Sequence, residues 1–447
     1  MRVGAAATLL SKAPPRARLE RWCGGLALAV LGSTMGCTTS AAPSLEEAPA
    51  ISSLVVGRDF TALVDDDGQV YLWGEGRSGV LGNGETAVCG EAGANFCGRG
   101  PRCCVGDDEL PAGNNRVQVG DEVVALVMGW NYACALLSDE QSTLCWGEGA
   151  EGTLGLAAPR IGDDELAADG PLHRWPSRVV EMVAGAGHTC VRLESGDLHC
   201  FGRSDLGQLG YGDREVRGDA DASELAESIP LPFTPTRAWA GAFNTCATSA
   251  EGAILCWGDN QYLQADPSAT TFGEVAIGDD ESLADRSPID LGDFGPVEEV
   301  AIADTLICAL NHEGRVRCWG TPNRDGAPGD ASYNGGPSGV DVPLPLGAQQ
   351  VAVDVAFSYA LLDDGRIALW SQDNDEEVEY IEPPEPVAEL QAGFSHGCIL
   401  GESGMLYCWG YGDSGALGYG NRESLWPNDE GFTWRPVEWW AEPSAVD

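Results

Sequence analysis

A run of alternating and apolar residues, a polar turn ending in glycine, and a second apolar run closing on an aromatic residue followed by Gly or Ser: this pattern recurs seven times between residues 51 and 440. Its clearest copy is Gly187–Gly202, G-H-T-C-V-R-L-E-S-G-D-L-H-C-F-G. The copies close at Trp73, Trp146, Phe201, Trp257, Trp319, Trp370 and Trp409. An apolar run such as Val123–Met128, Val179–Ala184 or Val387–Ala392 opens the unit, and a Pro-flanked piece (175–179, 288–291, 342–346) precedes several units. Four short strands per unit make a propeller blade, so an all-β, seven-bladed propeller is predicted. The last piece, residues 435–440, has no unit after it and is expected to join the blade begun near residues 51–56. Blades that pack only on their neighbours allow a single domain of this length.

The hairpin register gives the cysteines a role. With Glu194-Ser195-Gly196 as a three-residue loop closed by a left-handed glycine, Cys190 faces Cys200. The same count opposes Cys246 to Cys256, Cys308 to Cys318 and Cys398 to Cys408, while a four-residue loop, 138–141, opposes Cys134 to Cys145. Directly opposed strand positions are close enough for a disulfide after slight adjustment. The two units without cysteine put Ala62/Leu72 and Tyr359/Leu369 at these positions, apolar pairs that fill the space. Cys89, Cys97, Cys103 and Cys104 share one insertion and are read as two further disulfides, with a four-thiolate zinc site as the alternative.

Residues 1–36 read as an export signal, with five basic residues ahead of the short apolar run 24–32. Thr34-Met35-Gly36-Cys37 is similar to a bacterial lipobox, which makes Cys37 the lipidation candidate and residues 37–50 a flexible tether to a propeller at 51–447. That segment holds five of the 25 basic and one of the 69 acidic residues, so the remainder carries 20 basic against 68 acidic groups. The remainder has a net charge of −48 and no lysine, since Lys12, the one lysine in the sequence, lies in the signal. Nucleic acid is thereby excluded as a partner, and lysine-based catalysis with it.

Three loops repeat an acidic box: Asp107-Asp108-Glu109, Asp163-Asp164-Glu165 and Asp279-Asp280-Glu281. Clustered carboxylates suit Ca²⁺, though a turn stabilised by aspartate accounts for the same pattern; no other cofactor is called for. His188 and His396 share one slot, filled elsewhere by Phe60, Tyr132, Asn244, Leu306 and Phe357, and read as packed or hydrogen-bonded blade residues. No Gly-x-Ser-x-Gly, His-Glu-x-x-His or phosphate-loop motif occurs. Aromatic residues off the repeat pattern, Trp130, Trp175, Tyr211, Tyr262, Tyr419 and Trp426, are the candidate partner contacts.

The unit, with Gly207-Gln-Leu-Gly210, Gly152-Thr-Leu-Gly155, Gly79-Val-Leu-Gly82 and Gly415-Ala-Leu-Gly418 as turn signature, resembles the regulator-of-chromosome-condensation repeat in its exported, Cys-rich bacterial form. The resemblance implies seven blades. The expectation is a monomeric scaffold in the bacterial periplasm, outer membrane or cell surface, binding an envelope or extracellular protein through its rim loops. Two other readings remain open: a hydrolase or lyase acting on polysaccharide or peptide at the channel, and a Ca²⁺-dependent adhesion module. A cluster of His, Arg and acid at a channel mouth favours the enzyme; small residues in the channel with aromatics on the rim favour binding.

Overall fold

The computed structural model describes residues 49–76, 78–82, 104–105, 110–111, 115–158, 160–220, 225–267, 275–320, 339–371, 378–429 and 431–440. Seven antiparallel sheets form the seven blades of a propeller. Blade 1 holds β1 (Ile51–Val56), β2 (Phe60–Asp65) and β3 (Val70–Glu75), with the short β4 (Cys104–Val105) and β5 (Arg116–Val117) on its outside. Blade 2 holds β6 (Val123–Met128), β7 (Tyr132–Leu137), β8 (Ser142–Glu148), β9 (Arg160–Ile161) and β10 (Leu172–Arg174). Blade 3 has β11 (Val179–Ala184), β12 (His188–Leu193) and β13 (Leu198–Gly202). Blade 4 has β14 (Arg237–Ala240), β15 (Asn244–Thr248), β16 (Ile254–Asp259) and β17 (Ala276–Ile277). Blade 5 runs through β18 (Val297–Ile302), β19 (Leu306–Asn311), β20 (Val316–Gly320) and β21 (Val340–Asp341). Blade 6 has β22 (Ala348–Val353), β23 (Phe357–Leu362), β24 (Ile367–Ser371) and β25 (Glu379–Ile381), and blade 7 has β26 (Val387–Ala392), β27 (His396–Gly401) and β28 (Leu406–Gly410).

The predicted hairpin register is the observed one. Cys134–Cys145, Cys190–Cys200, Cys246–Cys256, Cys308–Cys318 and Cys398–Cys408 are directly opposed and disulfide-bonded, with Cα atoms 4.0–4.1 Å apart. Ala62 faces Leu72 and Tyr359 faces Leu369 in the blades without cysteine. In the four-residue loop Glu140 takes the left-handed position, at φ 54°. Cys104 is disulfide-bonded; Cys37, Cys89, Cys97 and Cys103 lie outside the described residues.

Outer strands are shorter than the sequence pattern predicts. The stretch 288–291 touches its blade through one bond, Ile289 N–H to Ile254 O, and 342–346 through Val342 N–H to Val316 O. Pro288, Pro343 and Pro345 have no N–H to continue a ladder. The chain end also differs from expectation. Residues 435–440 add no strand to blade 1; Val437 N–H bonds Leu406 O on blade 7, and Trp439 packs edge-on against Tyr71 of blade 1 at 5.1 Å. The C-terminal segment is a strap across the closing seam.

The turn signature faces the next blade. Thr61 Oγ1 and Trp73 Nε1 of blade 1 both donate to the Ala416 carbonyl of blade 7, each at 2.9 Å. Thr245 Oγ1 and Trp257 Nε1 of blade 4 share the Gln208 carbonyl of blade 3, at 2.9 and 3.0 Å. Blades 2 and 5 carry Ala133 and Ile307 in the threonine slot, and there the indole acts alone: Trp146 reaches Val80 O at 2.7 Å and Trp319 reaches Gln264 O at 2.9 Å. The last glycine of the signature leaves room for that indole. A Cβ on Gly418 would lie 2.8 Å from Trp73 Nε1 and 2.7 Å from Val437.

This geometry separates two costs of adding a methyl group. Gly404 and Gly418 both have positive φ, 87° and 74°, but a Cβ at Gly404 meets nothing within 4 Å. Gly404→Ala is expected to cost about 1 kcal/mol of backbone strain, and Gly418→Ala at least about 2 kcal/mol more because the closing seam must shift. Chemical denaturation of the two variants measures the difference.

Candidate functional site

The inner strands surround a central channel of about 450 Å³. At their C-terminal ends the chain turns through Gly57, Gly129, Gly185, Gly241, Ala303, Asp354 and Gly393, one per blade, which line that mouth. Neighbours approach as backbone: a Cβ on Gly129 would lie 2.7 Å from Gly185 O, and one on Gly185 2.2 Å from Gly241 O. The residue after each collar residue, Asp354 being the one that is not small, lines the mouth next to it.

Three of these next residues, Arg58, Trp130 and Phe394, meet over the mouth together with Phe243. Trp130 is half-buried and packs edge-on against Phe243 of blade 4 at 5.5 Å and Phe394 of blade 7 at 5.4 Å. The Arg58 guanidinium lies over both Trp130 and Phe394, at 4.7 and 5.1 Å from the ring centroids. Arg203 stands 5.7 Å above Phe243. Beside them Ser395 Oγ donates to Arg58 O at 2.7 Å and lies 3.1 Å from Asp59 Oδ1; burial raises the Asp59 pKa against the pull of Arg58. A second group on the same face joins Trp426 to Tyr411 at 5.2 Å and Phe357 at 5.7 Å, with Tyr411 49% exposed. Aromatic faces and guanidinium groups around a desolvated centre are the composition of protein-contact hot spots.

The other sequence-selected aromatics lie elsewhere. Trp175 is buried, its Nε1 bonded to Thr143 Oγ1 at 3.1 Å. Tyr211 and Tyr419 seal the outer edges of the three-stranded blades 3 and 7. Each phenol oxygen accepts the N–H of the outer cysteine, Cys200 or Cys408, at 3.0 Å and lies 3.0–3.2 Å from that residue's carbonyl and from Glu227 O or Arg435 O. Arginines cover both rings, Arg217 at 4.1 Å and Arg435 at 4.2 Å. Tyr262 is half-buried in the turn where Gln264 Oε1 accepts its N–H at 2.9 Å. Arg58, Phe243 and Phe394 were missed by the sequence reading. Aligning the units on the mouth glycine would have gathered Arg58, Trp130 and Phe394 in one column.

The acidic boxes at 163–165 and 279–281 each bring three carboxylate oxygens within 4.8 Å of one another. Their backbone packs against the turn signature of the preceding blade, Gly162 and Asp163 beside Gly79 and Gly278 and Asp279 beside Gly207. In the second box Arg214 pairs with Asp279, and Glu281 Oε1 accepts the Gly278 N–H at 2.9 Å. Asp107, Asp108 and Glu109 lie outside the described residues.

His188 and His396 are fully buried behind the collar. His396 Nε2 lies 2.7 Å from Thr61 Oγ1 and His188 Nε2 2.9 Å from Thr245 Oγ1. Each threonine hydroxyl already donates to a carbonyl, so each imidazole must be the donor, with its proton on Nε2. Both are inter-blade links, and burial pushes both pKa values down to about 4.

The family model for the regulator of chromosome condensation (RCC1) repeat matches residues 179–208 and 387–416, the inner three strands and turn of blades 3 and 7. The chain is a seven-bladed propeller with RCC1 repeats matched in blades 3 and 7. It is similar to the ultraviolet-B receptor UVR8 of Arabidopsis thaliana, 26% identical over 279 residues, 58% of this chain and 59% of that one. It is also similar to the human E3 ubiquitin-protein ligase HERC2, 25% identical over 389 residues, 82% of this chain but 7% of that one. The chain thus spans less than two thirds of the length of either relative. Among solved structures, human WBSCR16 superposes with a TM-score of 0.62 at 18% identity, covering 80% of this chain and 92% of that one. Yeast RCC1 (Prp20), solved with Kap60 bound, gives 0.55 at 14% identity, covering 89% and 88%. At these identities the structures speak for the fold alone.

The buried histidines set an acid response. Unfolded imidazoles titrate near 6.5, whereas these stay neutral down to about 4. Their contribution is complete above pH 6.5 and is lost as pH falls toward 4, by about 1.4 kcal/mol per pH unit for each histidine. Replacing both by Gln, which keeps an N–H for the threonine, is expected to flatten that part of the stability–pH curve measured by denaturant titration.

Proposed function

We propose that this RCC1-repeat propeller is an exported interaction module whose mouth face, centred on Trp130, receives a protein partner. The observation carrying the reading is the Trp130–Phe243–Phe394 cluster under the Arg58 guanidinium, above a collar that is glycine or alanine in six of seven blades. Small residues with aromatics on the rim are the arrangement expected of binding rather than catalysis. The nearby histidines support the same reading, being buried and tied to threonines instead of facing the channel.

Five disulfides fit an oxidising, exported environment. Among the described residues no helix is long and apolar enough to cross a membrane. Export by the N-terminal signal, with Cys37 as a lipid anchor on a bacterial envelope, gives the partner as an envelope or extracellular protein. The strongly acidic composition favours soluble display and disfavours anionic partners.

The test compares affinity capture from envelope extracts by three forms of the mature chain: wild type, Trp130→Ser with Arg58→Ala, and Met405→Ser. Met405 is 50% exposed in a hairpin turn on the opposite face. Proteins enriched by wild type are expected to fall at least tenfold with the mouth variant and to be kept by Met405→Ser, near-ultraviolet dichroism confirming both folds. Equal capture by all three forms would remove the mouth face as the binding surface.

A further inference from the structure

One register position on the inner strands belongs to neither the mouth nor the indole seams. It is Ser53, Ala125, Glu181, Arg237, Glu299, Gln350 and Glu389 in blades 1 to 7, opposite Val64, Leu136, Arg192, Thr248, Leu310, Leu361 and Leu400. In every blade but the fourth a register shift immediately precedes it.

Four of these side chains reach the next blade in the same way. Glu181 Oε2 accepts the Ala238 N–H at 3.0 Å, Glu299 Oε1 the Val351 N–H at 3.3 Å, Gln350 Oε1 the Leu390 N–H at 2.7 Å and Glu389 Oε2 the Leu54 N–H at 3.4 Å. Each N–H belongs to the residue one beyond the slot on the following inner strand. The clamp therefore satisfies the inner edge of the sheet, which no further strand covers.

Gln350 completes the clamp with a second bond, its Nε2 donating to Ala388 O at 3.0 Å. Glu299 stands in the same place, 1% exposed, with Oε2 buried and unpartnered among the described residues. Glu181 is different: Arg192 and Arg237 hold its two oxygens at 2.9 and 3.1 Å, which suits a carboxylate. Around Glu299 the charged groups are Arg237 from β14, whose Nε is bonded to Glu181, and Glu298 on its own strand. The adjoining β22 presents Gln349 and Gln350, and β19 presents Leu310; none titrates. A buried carboxylate with one hydrogen bond and no direct counter-ion is strongly disfavoured.

We propose that Glu299 is a carboxylic acid in the folded protein and works as Gln350 does, its O–H donating to the Gln349 carbonyl, so that a proton holds the seam between blades 5 and 6. The donor and acceptor order then matches the amide clamp one blade further on. Burial raises the Glu299 pKa well above that of an ordinary carboxylate, as this arrangement requires. The seam is thereby strongest in acid. Below about pH 4.5 the group is protonated folded or unfolded; above it only the unfolded chain ionises, and the folding constant falls up to tenfold per pH unit until the folded pKa is reached.

Glu299→Gln tests this directly between about pH 6.5 and 9, above the range in which unfolded imidazoles are mainly charged. Glu389, whose pKa burial raises to about 7, contributes alike to both proteins and cancels in the comparison. The variant is expected to gain on wild type by up to tenfold in folding constant for each pH unit. Infrared difference spectra near pH 8.5 should show a protonated-carboxyl stretch in wild type that Glu299→Gln removes. Gln350→Glu should introduce the same acid-favoured behaviour at the next seam. A constant gap between wild type and Glu299→Gln, or no protonated carboxyl in wild type, would overturn the proposal and make Glu299 a carboxylate turned toward Arg237.

Discussion

At four of the seven seams a single backbone carbonyl ties one blade to the next. Ala416 O and Gln208 O each accept two donors from the following blade, a threonine hydroxyl and a tryptophan N–H, and Val80 O and Gln264 O each accept the indole. A carbonyl buried between sheets must be paired, and a buried indole needs an acceptor. Blades 1 and 4 supply both parts, the acceptor in the turn and the donor on the third strand, whereas blade 3 supplies the acceptor but closes on Phe201, which has no N–H. The unit thus specifies its successor as well as itself. This is why the last glycine of the turn signature and the closing tryptophan occur together: the missing Cβ is the space the indole occupies.

That constraint also positions the site. Inner strands held at a fixed spacing converge at the mouth, where glycine or alanine in six of the seven blades lets backbone approach backbone. The next residue in each blade is raised above the collar, and the slot is free of the repeat's packing demands. In four blades it carries Ala186, Ala242, Asp304 and Val355; in the others it carries Arg58, Trp130 and Phe394, which meet. The cluster is an asymmetric feature on a near-symmetric ring. Its edge-to-face rings and overlying guanidinium reduce the conformational freedom that Trp130 and Arg58 would lose on docking.

Much of this was legible in the chain. The inner strands Val123–Met128, Val179–Ala184 and Val387–Ala392 have the bounds read from their apolar runs, and the cysteine register followed from the position of Gly196. Both depend on local chemistry, alternation and turn type. The shared histidine slot was correctly read as structural, but its threonine partners, at sequence separations of 57 and 335, had no signal in one sequence. The tyrosines show the limit most clearly. Tyr211 and Tyr419 stood outside the repeat pattern because, among the described residues, blades 3 and 7 have no regular fourth strand, and the phenols bond where one would pair. An off-pattern aromatic marks a departure from the repeat, and the departure can be a missing strand as readily as a binding surface.

Disulfides and seams divide the work of holding the ring. Each of the five cysteine pairs opposed on the second and third strands closes a hairpin within one blade, so it restricts the unfolded chain locally and leaves the contact between blades untouched. The ring must then be closed by hydrogen bonds and packing, and blade 7 meets blade 1 without exchanging a strand. At this seam the bonds from His396 to Thr61, from Thr61 and Trp73 to Ala416 O, and from Leu54 N–H to Glu389 are joined by the C-terminal strap. Asn115 Nδ2 of blade 1 fastens that strap by donating to Trp439 O at 2.9 Å. Joining the ends of the chain is the least local contact in the fold and has the largest loop-closure cost. Several independent contacts at one seam offset that cost where a covalent bond or a shared strand does not.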